Sequence, residues 1–158
     1  MINNNISWVR KTSIINKNRM SQINAYLTFN GNCRQAMNFY KEVLDGELSL
    51  QTIGESPMAD KMPGKMKDCI LHSQLTKGDL ILMGSDMVGE QGLLKGNSVT
   101  LMLACNSEEE IKNCYEKLSA DGNATHPLED TFWGALFGGL TDRFGNHWLL
   151  NFEKNKSN

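Results

Sequence analysis

One order of elements occurs twice in this chain, and it restricts the fold more than any other feature. Ile23–Phe29 is short and rich in aromatic and branched residues, the pattern of a strand. Asn30-Gly31-Asn32 is a turn with Asn32 as a candidate N-cap, and Ala36, Tyr40, Val43 and Leu44 then recur at helical spacing. Asp45-Gly46 stops that helix. Strands are predicted at Glu47–Ile53, Cys69–Thr76 and Leu80–Ser85, the last two joined by a Lys77-Gly78-Asp79 hairpin turn. The same order returns with a strand at Ser98–Cys105 and a helix opened by the capping box Ser107-Glu108-Glu109-Glu110. That helix carries Ile111, Cys114, Tyr115 and Leu118 on one stripe and ends on Asp121-Gly122. Strands near Ala124–Leu128, Ala135–Thr141 and His147–Phe152 complete the second copy. Tyr40 and Tyr115, 75 residues apart, occupy matching places. Two βαβββ modules, an α+β fold, follow from this repeat, each with one helix on one sheet face and the other face left open.

The domain is expected over residues 21–154, with modules at about 21–86 and 97–154 and a loosely ordered tail at 1–20. Met20 stands directly before the first patterned strand, so both Met1 and Met20 are candidate start residues. Long loops are expected at Gly54–Lys67 and Asp86–Asn97.

Composition excludes several classes. Sixteen Lys and Arg against eighteen Asp and Glu give a formal charge of −2, which suits neither a nucleic-acid nor an anionic-membrane binder. No run approaches the roughly 20 apolar residues that cross a bilayer, and the first twenty residues lack the apolar core of a secretory signal. Cys33, Cys69, Cys105 and Cys114 form no CxxC pair, which predicts reduced, mostly buried thiols in a cytoplasmic protein. Nucleotide-binding glycine motifs and a Gly-x-Ser-x-Gly elbow are both missing from the sequence.

Several segments together resemble the vicinal oxygen chelate superfamily, the glyoxalase/bleomycin-resistance/extradiol-dioxygenase fold, and within it the PhnB-like group with its 3-demethylubiquinone methyltransferase-like domain. The carriers are Ala25–Cys33, Ala36 with Phe39-Tyr40, His72, Leu82–Asp86, Glu129–Gly134 and Thr141–Trp148, within about Gln22–Glu153. The resemblance implies modules whose mixed sheets curl around a cavity, and homodimers. In metal-dependent members it implies one divalent ion held by His, Gln or Glu from the first and fourth strands of each module. The corresponding places here hold approximately Asn24, Met83, Ser98 or Thr100, and Leu149, which supply scarcely any donor for a hard divalent ion.

Strand parity turns Asn24, Tyr26, Thr28, Ile81, Met83, Ser85, Ser98, Thr100, Met102, His147, Leu149 and Asn151 toward the cavity, with Val99, Leu101 and Leu103 packing outward. His72, mid-strand with Ile70 and Gln74 on its face, is the candidate catalytic residue, and a hydrogen-bonded structural histidine is the alternative. Tyr26, Met83, Ser85, Thr100, Phe132 and Trp133 are the candidate ligand-binding residues. Phe132 and Trp133 equally suit core packing or a dimer seam. Glu129 and Asp130 are adjacent in a strand, a poor geometry for an acid–base pair. Met58, Met62, Met66, Met83, Met87 and Met102 suggest an adaptable apolar lining or core filler. The expected protein binds a small molecule without metal or other cofactor, as a homodimer. The alternative is a lyase, isomerase or dioxygenase that uses one divalent metal ion, with His72 and His147 as unconventional ligands.

Overall fold

The computed structural model describes residues 21–154, so the expectation for the first twenty residues lies outside the described part. The first module runs β1 (Ala25–Thr28), α1 (Cys33–Leu44), β2 (Glu47–Thr52), β3 (Ile70–Lys77) and β4 (Leu80–Ser85), with a 3-10 turn at Gly64–Met66. The second runs β5 (Leu101–Ala104), α2 (Glu108–Ser119), β6 (Asn123–Asp130), β7 (Ala135–Thr141) and β8 (His147–Glu153). Each module forms a four-stranded mixed sheet, ordered β1-β4-β3-β2 and β5-β8-β7-β6. In each, the first strand is an edge strand parallel to the fourth. The expected repeat is therefore present in both topology and pairing.

Helix α1 buries Cys33, Ala36, Met37, Tyr40, Val43 and Leu44, a stripe that extends the expected one by Cys33 and Met37. Helix α2 buries Ile111, Cys114 and Leu118. The helices touch each other, and one apolar cluster containing Phe29, Ile70, Leu75, Leu103, Leu140 and Leu150 joins both modules. Asn32 stands at the N-cap of α1 without a side-chain cap bond. Buried Asp86 does that work from the end of β4: its Oδ1 accepts from the N–H groups of Gly31 and Cys33, both at 2.9 Å. In α2 the expected box forms, with Glu110 N–H donating to Ser107 Oγ at 3.0 Å. The returning carboxylate lands on the Asn106 N–H at 2.7 Å rather than on the cap itself.

The repeated Asp-Gly pair divides its labour the same way in both copies. Asp45 and Asp121 take the left-handed conformation, at φ 53° and 58°. The glycines after them are needed for space. A Cβ on Gly46 would stand 2.8 Å from the Thr76 carbonyl oxygen, and one on Gly122 would stand 2.3 Å from that of Thr141. Each helix is thereby seated against the end of a strand in its own sheet.

Some boundaries differ from expectation. Strand β5 starts at Leu101, whose register partner is Trp148, so Ser98, Val99 and Thr100 precede the ladder. Val99, expected to pack outward, is 74% exposed. Strand β1 starts at Ala25, and Ile23 is exposed. Strand β6 runs on to Asp130, whose carboxylate pairs with Lys154 Nζ at 2.5 Å. Replacing Gly122 by Ala should lower stability by about 1–3 kcal/mol, the usual cost of overpacking. Gly89→Ala, where a Cβ would meet nothing, should stay within about 0.5 kcal/mol of wild type. Urea unfolding checks both, and equal midpoints for the two variants would contradict the close-approach account.

Candidate functional site

Because α1 packs on one face of the first sheet, strand alternation leaves Tyr26, Met83, Gln74 and Ser49 in one row across the other face. The next row holds Thr28 and Ser85 as partners, and Gln51 pairs with His72. Tyr26 and His72 meet on this open face. The phenol oxygen lies 3.3 Å from His72 Nδ1, and the rings stack at 5.8 Å between centroids. When the phenol donates, the neutral imidazole keeps its proton on Nε2 and presents it to the open face; the other tautomer reverses the bond. Tyr26 is 49% exposed, which lets this pair face a ligand.

Tyr26 also lines a cleft of about 270 Å³ between edge strand β1, the loop before β5 and the start of β8. Leu94, Lys95, Val99, Asn146 and His147 form its other walls. Lys95 Nζ donates to the Phe144 carbonyl and to Asn146 Oδ1, which fixes the loop against the β7–β8 turn. His147 Nδ1 is 2.9 Å from Thr141 Oγ1. Lys95, Leu94 and Val99 were not among the expected site residues. For Leu94 and Lys95 the signal was the Leu93-Leu94-Lys95 run inside an otherwise glycine-rich loop, while Val99 was expected to pack outward.

The other expected site residues are dispersed. Met83 shares the open face with Tyr26, while Ser85 is buried and accepts a bond from the Met87 N–H at 3.3 Å. Thr100 lines a separate groove of about 220 Å³ with Ala25, Ile81 and Met102. Phe132 and Trp133 occupy the β6–β7 turn of the second sheet, 98% and 58% exposed, with rings 4.8 Å apart edge to face. Within one chain the fold brings together Tyr26, His72 and Met83 and leaves Thr100 and the two aromatics elsewhere.

The donor set tests the divalent ion of the metal-dependent relatives. Among the described residues, no three His, Cys, Asp or Glu side chains are grouped to hold an ion. The open face offers a phenol, a thioether, amides and a single histidine beside Tyr26. Those donors do not fit a hard divalent ion, and no chemical step is derived through one.

With the geometry in place, comparison with known proteins settles the family. A family profile described as 3-demethylubiquinone-9 3-methyltransferase matches residues 21–151. Protein YjdN of Escherichia coli is 30% identical over 142 residues, covering 84% of this chain and 95% of that protein. The crystal structure of PA1353 from Pseudomonas aeruginosa is 37% identical with a TM-score of 0.75, covering 86% of this chain and all of the other. The PhnB protein from Bacillus cereus is 27% identical with a TM-score of 0.69, over 84% of this chain and 99% of its own. This chain belongs to the PhnB-like, 3-demethylubiquinone-9 3-methyltransferase-like family, and its fold is that of glyoxalase/bleomycin-resistance proteins.

Beneath the site, burial pushes the Cys33 thiol up to about 11, against a lowering bond from Ser73 and with a further raise from nearby Asp86. Burial, then Asp142, raises the Tyr40 hydroxyl as well. Both folded values lie above the ordinary ones, so the stability they contribute is complete below the ordinary value and is lost as pH rises through the folded one. The melting temperature should therefore fall between pH 9 and 11, and Cys33→Ala should flatten that fall. A profile that stays flat over this interval would contradict the assignment.

Proposed function

We propose that the protein binds a small organic molecule on the open face of the first sheet and in the adjoining cleft, with Tyr26 and His72 as the recognition pair. The observation that carries this reading is Tyr26 itself, which touches His72 and lines the cleft of about 270 Å³. Aromatic and thioether surface from Tyr26 and Met83, with the imidazole beside them, suits a flat or apolar ligand that carries an oxygen acceptor. In this reading the ring N–H of His72 donates to that oxygen. The reading involves no metal ion, consistent with the donor chemistry above.

We take the protein to act as a homodimer in the cytoplasm. The exposed pair Phe132 and Trp133, with exposed Met102 on the same sheet, is the apolar surface we assign to a second copy. In that assembly Thr100, Phe132 and Trp133 would close a site that a single chain leaves open. The four unpaired cysteines support a reducing compartment. Among the described residues, no helix is long and apolar enough to cross a membrane.

A melting-temperature screen against aromatic and oxygen-rich small molecules tests the reading. A true ligand raises the melting temperature of wild type in proportion to the logarithm of its concentration once it exceeds Kd. His72→Ala and Tyr26→Phe should each weaken that ligand about tenfold or more, the equivalent of about 1.4 kcal/mol. Unchanged affinity in both variants would remove the role given to this pair.

A further inference from the structure

Most methionines singled out in the sequence leave their sulfur without an assigned part. Three of them share one lining: Met62, Met66 and Met87 border a cavity of about 360 Å³ together with Cys69. Backbone bonds fix this arrangement. Met66 N–H donates to Pro63 O at 2.9 Å, and Cys69 N–H donates to Met66 O at 3.0 Å, so the two side chains stand one turn apart. Asp86 accepts from the Ile70 N–H through Oδ2 at 2.9 Å and returns its own N–H to Ile70 O at 2.8 Å. That exchange holds the start of β3 beside the end of β4, and so sets Met87 next to Cys69.

Core filling does not account for the cluster. Met37 is fully buried in the packed interior, whereas Met62, Met66 and Cys69 are half-buried and Met87 is 36% exposed. The hard donors of the cavity are also spent. Asp86 is its one lining carboxylate, and its oxygens hold the N–H groups of Gly31, Cys33 and Ile70. What remains is soft sulfur with the Asn30 side chain, a donor set that selects soft d10 ions over magnesium, calcium or manganese.

We propose that Met62, Met66, Cys69 and Met87 form a binding site for a soft monovalent cation of the Cu(I) class. On binding, Cys69 exchanges its thiol proton for a sulfur–metal bond and the proton passes to solvent, while the thioethers donate lone pairs. The metal stays monovalent, so no oxidant or reductant takes part. The site is independent of the small-molecule reading and lies on other residues.

The test uses the full-length protein under anaerobic conditions, with Cu(I) supplied as its acetonitrile complex in competition with bicinchoninate. One equivalent should be withdrawn from the indicator. The double variant Met62→Leu/Met66→Leu, which conserves side-chain volume, should bind at least about tenfold more weakly, since even outer-shell partners of a metal typically contribute that much. A second readout uses wild type labelled at the methionine methyl carbons and titrated with Ag(I), an air-stable ion of the same class. The resonances of Met62, Met66 and Met87 should move, and those of Met37 and Met83 should hold still. Failure to compete for Cu(I), wild-type affinity in the double variant (capture by thiols alone), or unmoved methyl resonances would each overturn the proposal.

Discussion

The seating of the two modules against each other, and with it the cleft between them, depends on how one buried carboxylate is satisfied. Asp142, 3% exposed in the β7–β8 turn, accepts four hydrogen bonds. Its Oδ1 takes the N–H groups of Phe144 and Asn146, both at 2.9 Å, and so builds the turn. Its Oδ2 takes Trp148 Nε1–H at 2.8 Å and the Tyr40 hydroxyl at 2.6 Å. Tyr40 lies on α1, in the other module, and Asn146 Nδ2 donates to the same hydroxyl at 2.7 Å. A buried charge is tolerated only with such a complete set of donors, and here those donors come from both halves of the molecule. The carboxylate thus organises a local turn and ties the modules together on the helix side.

That tie has a consequence for the site. With α1 fixed against the second module, edge strand β1 stands beside the loop that leads into β5 and beside the start of β8. Lys95 reinforces the junction by bonding to Phe144 O and Asn146 Oδ1, within the turn that Asp142 builds. The cleft lined by Tyr26, Val99 and His147 is therefore a product of the module interface, whereas the Tyr26–His72 contact belongs to the first sheet alone. Recognition chemistry and cleft shape come from different levels of the structure and meet at one residue, Tyr26.

The sequence disclosed these levels unequally. Periodicity gave the two helices and the repeat, because apolar spacing and the Asp-Gly stops are local properties. Parity turned Tyr26 and Met83 toward the open side, since alternation needs only the strand itself, whereas His72 joins them only through the strand register. It failed for Val99 and Thr100, where the ladder does not start until Leu101 finds Trp148. Aromatic character alone grouped Phe132 and Trp133 with Tyr26, although the strand order sets them in different sheets. Tyr40 was legible as a core residue from its spacing, but not as a donor to Asp142. Its partner lies 102 residues away, and no local pattern reports a contact of that range. The same is true of Asp86, which caps α1 from 53 residues beyond Cys33 in place of the adjacent Asn32.

Urea unfolding of Asp142→Asn tests the central claim most directly. The amide keeps one oxygen for the turn and sets N–H donors against Trp148 and Tyr40, so shape is conserved while the tie between modules is broken. The account predicts a loss of about 2–4 kcal/mol, the range set by charged hydrogen bonds and broken buried partners. It also predicts that the fluorescence and far-ultraviolet circular dichroism transitions, coincident in wild type, separate in the variant as the modules lose their coupling. A variant that unfolds at the wild-type midpoint with coincident transitions would contradict it, and would mean that apolar packing alone holds the two modules together.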